Sequence, residues 1–68
     1  MLIHTVVSRE GHTTVHTFPD VHCLTFAGAM ELVNADRSCV GDINMHLSND
    51  VLVCTMMTTT NTHVFCVV

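Results

Sequence analysis

Alternating polar and apolar residues, many of them β-branched, run through most of this 68-residue chain and favour a sheet. The first two runs are residues 2–8 and 12–18, and Gly11 between them can adopt the positive φ that a short hairpin loop needs. Pro19 ends the second run because proline has no N–H to donate to a neighbouring strand. The beginning of the chain therefore predicts a β-hairpin.

The second half of the chain predicts three more strands. Alternation returns at Cys39 and continues to a turn at residues 48–50. Residues 51–58 are apolar on both parities, which favours a strand in the interior of the sheet. After a turn at 59–61, residues 62–68 form the last predicted strand.

One tract between these halves, residues 25–35, has the period of a helix. Its apolar residues fall on one helical face, at Phe26, Ala29, Met30 and Val33. The hydroxyl of Thr25 can cap the first turn, and Asp20 is the alternative cap. Gly28 costs about 1 kcal/mol inside a helix, so we expect it where the helix lies close against the sheet.

These elements, in the order ββαβββ, predict a single α+β domain over residues 1–68. Its two layers are one helix and an antiparallel sheet of about five strands. The helix covers only one face of the sheet, and an antiparallel sheet tolerates an open second face. We expect this helix-free face to be neutral, half-apolar and suited to contact with another protein, including a second copy of the chain.

Two groups of polar residues form the predicted partner-binding site. Those expected on the helix-free face are His4, His16, Asn44, His46 and His63. A second patch, near the turns and suited to an Arg or Lys cluster on the partner, consists of Asp36, Asp42 and Asp50.

The charge balance excludes several classes of function. Two arginines, no lysine and six acidic residues give a formal net charge of −4, whereas direct nucleic-acid binding needs clustered basic residues. No apolar run approaches the ~20 residues that span a bilayer, and no signal-peptide pattern follows Met1. We therefore expect a cytoplasmic protein without membrane contact, whose four cysteines are reduced.

Six histidines suggest a metal site, but their spacing does not support one. The common zinc patterns are absent, and His12 and His16 would lie about 13 Å apart along a strand. No metal or other cofactor is therefore expected. The histidines could make the surface pH-sensitive between about pH 5 and 7, but we favour neutral hydrogen-bonding groups.

The sequence shows no pattern of an enzyme. A Cys–His nucleophile pair needs a base beside the thiol and a cleft around both. His22 and Cys23 are neighbours in sequence, and Cys54 could meet His63 across the last hairpin, but nothing predicts a pocket. We therefore predict a protein without catalytic activity.

The layout itself is a further feature. It combines the hairpin, a helix opened by Leu24-Thr25 that carries Ala27 and Ala29, and Cys39-x-Gly41 leading into three strands. Over most of the chain this layout resembles that of some small phage-encoded anti-CRISPR proteins. The resemblance implies a non-enzymatic inhibitor that binds a host protein complex, such as a CRISPR–Cas effector, in the host cytoplasm. It assigns no role to any residue.

Two other interpretations stay open. The first is a homo-oligomer, such as a homodimer, whose open faces or edge strands pair and which has a structural or ligand-sequestering role. In that case the final strand, which ends at Val68 without a charged residue, would invite a partner strand if it lay at an edge. The second is a small His/Cys metal-binding protein.

Overall fold

The computed structural model describes residues 1–34, 40–48 and 51–68. Its elements, in chain order, are β1 (Leu2–Ser8), β2 (Thr13–Phe18), α1 (Phe26–Asn34), β3 (Val40–Ser48), β4 (Val51–Thr58) and β5 (Asn61–Val67). Every strand pair is antiparallel. The predicted α+β class, with one helix and a five-stranded antiparallel sheet, is confirmed, and the helix is short, at nine residues.

The first hairpin forms as its sequence predicts, with Leu2 opposite Phe18 at its open end. Gly11 in the connecting loop has a φ of 88°, in the left-handed region that glycine adopts without strain. The N–H of Gly11 donates to the carbonyl oxygen of Ser8 at 3.0 Å, which closes the turn. A residue with a Cβ would be strained at this position.

The strands lie side by side in the order β2-β1-β5-β4-β3. β4 is an interior strand, as its apolar sequence predicts. β5 is also interior, because β1 pairs along one of its sides and β4 along the other. The final strand is therefore not an edge, and the edges of the sheet are β2 and β3.

The helix packs on one face of the sheet through Ala29 and Val33. These two side chains join a buried cluster of four sheet residues, Leu2, Cys54, Met56 and Phe65. A fully buried aliphatic or aromatic side chain contributes about 1.5–3 kcal/mol relative to its exposed state. Phe65 is the largest of the fully buried side chains, so the central strand β5 supplies the middle of the core.

Thr25 begins the helix as a cap, and Asp20 does not. The N–H of Gly28 donates to Thr25 Oγ1 at 3.0 Å, which satisfies a donor that the first turn leaves free. A Cβ at Gly28 would lie 3.0 Å from the same oxygen. The glycine is therefore explained by the capping hydroxyl and not, as its sequence position suggested, by close contact between helix and sheet.

Candidate functional site

Strand register divides the sheet into two faces. The buried sheet residues all lie on the face that packs against α1, because the register places Phe65 beside both His4 and Cys54. The described side chains of the opposite face, called the open face below, are Ile3, Thr5, Val7, Thr13, Val15, Thr17, Asn44, Val51, Val53, Thr55, Met57, Thr62, Val64 and Cys66. Each of these side chains is half-buried or exposed, so no described part of the chain covers this face.

The open face is neutral and half-apolar wherever its side chains are described. One row of paired residues crosses all five strands and alternates β-branched apolar with hydroxyl side chains up to a terminal amide: Val15, Thr5, Val64, Thr55 and Asn44. Threonine and valine have few rotamers to lose, and neither carries a charge that a partner would have to desolvate. This row is the centre of the candidate docking surface.

Three of the predicted docking histidines lie on the opposite face. His4 pairs with His16 on one side and with Phe65 on the other, and His63 pairs with Met56. The assignment of His4, His16 and His63 to the helix-free face is therefore wrong. Strand parity is the reason. Leu2 and Phe65 enter the core, and side chains two residues apart on a strand lie on the same face, so His4 and His63 lie on the core face with them.

His4, His16 and His63 form a histidine cluster on the helix side of the sheet. Two of its members are buried, since His4 is 5% and His63 2% exposed. A hydrogen bond of 2.9 Å joins His4 Nε2 to His63 Nδ1. The His4 ring stacks on Phe65, with centroids 4.3 Å apart and planes 8° from parallel, and the exposed His16 ring lies 6.0 Å away.

The hydrogen bond between His4 and His63 needs a donor nitrogen on one ring and an acceptor nitrogen on the other. Neutral imidazole has one donor and one acceptor nitrogen, so one ring can donate to the other and the hydrogen-bonded nitrogens can be buried. Burial, followed by the charges of His63 and His16, lowers the pKa of His4 from 6.5 to about 4. At neutral pH His4 is thus a neutral hydrogen-bonding group of the core, the role that the sequence favoured for histidines in general.

The other predicted site residues lie on or near β3. Asn44 is exposed on the open face, opposite Thr55. His46 pairs through its backbone with Val53, and Asp42 pairs with Met57, but the side chains of both lie outside what the structure describes. Asp36 and Asp50 lie in the segments 35–39 and 49–50, also outside the described residues. The acidic patch stays a prediction.

Of the row that crosses the open face, the sequence predicts only Asn44 as a site residue. Polarity along the strands favours the histidines, whereas the exposed row is built largely from threonine and valine. The available signal was parity: residues Thr5, Thr55 and Val64 each lie one position from a residue that enters the core. Strand order was also required, and the sequence does not give it.

The chemistry open to the described residues is limited. Among them, no three His, Cys, Asp or Glu side chains converge as metal ligands would. Cys54 faces Phe65 and not His63, and burial raises the pKa of its thiol. A raised pKa disfavours the thiolate that acts as a nucleophile or metal ligand.

The chain matches no protein-family model, no curated protein and no solved structure. Within its described parts, no helix has both the length and the apolarity that a membrane span requires. The function is therefore inferred from the geometry of the two sheet faces.

Proposed function

We propose that this protein is a non-enzymatic binding module that docks on a partner protein through its open face. The observation that carries the proposal is the uncharged row from Val15 to Asn44, which is half-buried or exposed on all five strands. A two-layer ββαβββ domain with one helix leaves this face for a partner, and the described side chains of the face carry no charge.

The size of the open face suits a protein partner. Five strands spaced about 4.8 Å apart, with about three side chains of each strand on the face, cover roughly 450 Å² in projection. A specific complex buries about 800 Å² of accessible surface on each partner. Because side chains make the face uneven, its accessible area exceeds the projection, and the adjacent strand edges add to it.

The energetics of this face favour docking over lasting exposure to water. Buried apolar area contributes roughly 25 cal/mol per Å², before the cost of association is subtracted. The side chains along the row, such as Thr5 and Val64, are stiff at χ1, so little rotamer entropy is lost on binding. Hydroxyls spaced between apolar groups can pair with polar groups of the partner, which supports specificity.

The proposed partner is a host protein complex, and the proposed role is that of a phage-type inhibitor. A CRISPR–Cas effector is the first target to test, a choice that depends on the resemblance of the layout to small anti-CRISPR proteins. The open face itself supports a narrower part of the proposal, namely a protein partner that presents a flat and largely uncharged surface.

A charge placed in the middle of the open face tests the proposal. Thr55→Lys introduces an ammonium group into the row, whereas Thr14→Lys makes the same change on the edge strand β2 but on the helix side of the sheet. Purified CRISPR–Cas effectors would be titrated with the parent and both variants, and interference would be assayed in cells. Unfolding midpoints would establish that both variants fold.

We expect the parent and Thr14→Lys to bind and inhibit one effector with similar affinity, and Thr55→Lys to bind at least tenfold more weakly. If the parent binds an effector and Thr55→Lys binds it equally well, the open face is not the docking surface. If the parent binds none of the effectors and does not affect interference, the inhibitor role is wrong.

A further inference from the structure

Strand β2 is an edge of the sheet without the usual protection against further pairing. Thr13–Phe18 contains no charged residue and no proline, and every side chain before Phe18 is exposed. Sheet edges are normally protected by charged side chains, proline or bulges. The other edge, β3, contains Asp42 and has a register irregularity between Val40 and Asp42.

The hydrogen bonds of the hairpin show which main-chain groups of β2 face outward. The N–H of Ser8 donates to the carbonyl oxygen of His12 at 2.9 Å, so these residues belong to the hydrogen-bonded set of the ladder. That set recurs at every second residue, which directs the main-chain groups of Thr14 and His16 toward β1. The main-chain groups of Thr13, Val15 and Thr17 therefore point away from the sheet.

A second copy of β2 fits this edge in one antiparallel register. With Val15 opposite Val15 of the second copy, Thr13 lies opposite Thr17, and all three outward residues form hydrogen-bonded pairs. Thr14 then lies opposite His16 on the other face, and no like charges meet. A slip of two residues loses one of these pairs, and a slip of one turns the main-chain groups out of register.

We propose that β2 is a homodimerisation edge, where two copies pair about a two-fold axis at Val15. The two five-stranded sheets then form one continuous sheet, and their open faces join into one larger surface. Val15 is 58% exposed in the single chain, and the side chain of its symmetry mate covers part of it in the dimer. A two-fold axis closes the assembly at two copies, because each copy has one β2 edge.

Two opposite charges at the axis test both the contact and its register. In Val15→Lys or Val15→Glu, each residue 15 faces its own copy at a Cα separation of about 5.5 Å, so like charges repel. We expect a parent dimer by size-exclusion chromatography with light scattering, and at least a tenfold weaker dimer for either variant. Mixing the two variants should restore a heterodimer.

Thr5→Lys is the matched control, since Thr5 lies beside Val15 on the same face but one strand inside the edge. It should remain dimeric, and all variants should keep the parent's circular dichroism spectrum, because the bonds from β2 to β1 are unchanged. A parent that is monomeric at millimolar concentration would overturn the proposal, as would a mixture of the two charged variants that stays monomeric. A dimer disrupted by Thr5→Lys but not by either charge at residue 15 would indicate face-to-face pairing instead. These results are independent of effector binding, which the Thr55→Lys experiment reports.

Discussion

Protonation of His4 opposes folding, and we therefore expect the protein to lose stability as the pH falls. In the folded state the pKa of His4 is about 4, because the ring is buried and faces His63 and His16, whereas an unperturbed histidine titrates near 6.5. Below pH 6.5 the unfolded chain binds a proton that the folded chain does not, so the free energy of unfolding falls. The loss levels off below pH 4, where His4 is protonated in both states.

The size of this effect is large for a small protein. At ~1.4 kcal/mol per pH unit, the interval from pH 6.5 to 4 corresponds to a loss of at most roughly 3–4 kcal/mol. At 0.05–0.15 kcal/mol per residue, a chain of this length has a total stability of roughly 3–10 kcal/mol. Protonation of one buried ring can thus remove a third of the stability or more.

His4→Gln separates this effect from the titration of other groups. The glutamine amide reaches the position of the histidine Nε2, so it can replace the hydrogen bond to His63, but it does not titrate. At pH 7.5 we expect a loss of about 1 kcal/mol, because the ring stack on Phe65 is gone. Between pH 6.5 and 4.5 the variant should lose less stability than the parent does.

Urea unfolding followed by circular dichroism at pH 7.5, 6.5, 5.5 and 4.5 measures the slope of the free energy of unfolding against pH for the parent and for His4→Gln. His12→Gln makes the same change at an exposed histidine and should keep the parent's slope. If the parent and His4→Gln lose stability in parallel over this interval, the pH dependence does not arise at His4, and the description of His4 as a neutral group of the core is wrong.

Two further predictions concern the helix cap and the cysteines. Gly28→Ala should change the stability of the parent little, because the new Cβ would crowd Thr25 Oγ1. In a Thr25→Ala background the same substitution should stabilise the protein by about 1 kcal/mol. Thermal unfolding of the four proteins measures the coupling between the two positions, and equal effects in both backgrounds would refute the steric explanation. In iodoacetamide labelling followed by peptide mass spectrometry, the exposed Cys23 should react in the folded protein, and Cys54 only after unfolding. Burial raises the pKa of the Cys54 thiol and blocks access to it. Labelling of Cys54 in the folded protein would contradict its place in the core.

The local elements of the fold could be predicted because their signals are local. β1 and β4 have the predicted bounds, 2–8 and 51–58, since both runs are enriched in β-branched and apolar residues and end at turn residues. The helix begins at Phe26, directly after the predicted Thr25 cap, because one hydroxyl satisfies a free donor of the first turn. Each of these choices depends on residues a few positions apart.

The arrangement of the strands could not be predicted, and the histidines depend on it. In β1 both parities mix apolar and polar residues, with Leu2 and His4 on one face and Ile3 and Thr5 on the other. Polarity within the strand therefore does not decide which set enters the core. The pairing of β1 with β5 decides it, because it places His4 against the ring of Phe65, and that contact joins opposite ends of the chain.

The position of the histidines changes what a pH-dependent complex would mean. With His4 in the core, its protonation acts on the fold and not on the described side chains of the open face, which include no histidine. Affinity for a partner should then stay constant as long as the protein is folded and decrease in parallel with the folded fraction. Binding measured beside unfolding at each pH distinguishes a loss of folded protein from a titration at the interface. A complex that weakens at a pH where the protein is still folded would require a titrating group at the interface. His46, whose backbone on β3 pairs with Val53, would be the first residue to change.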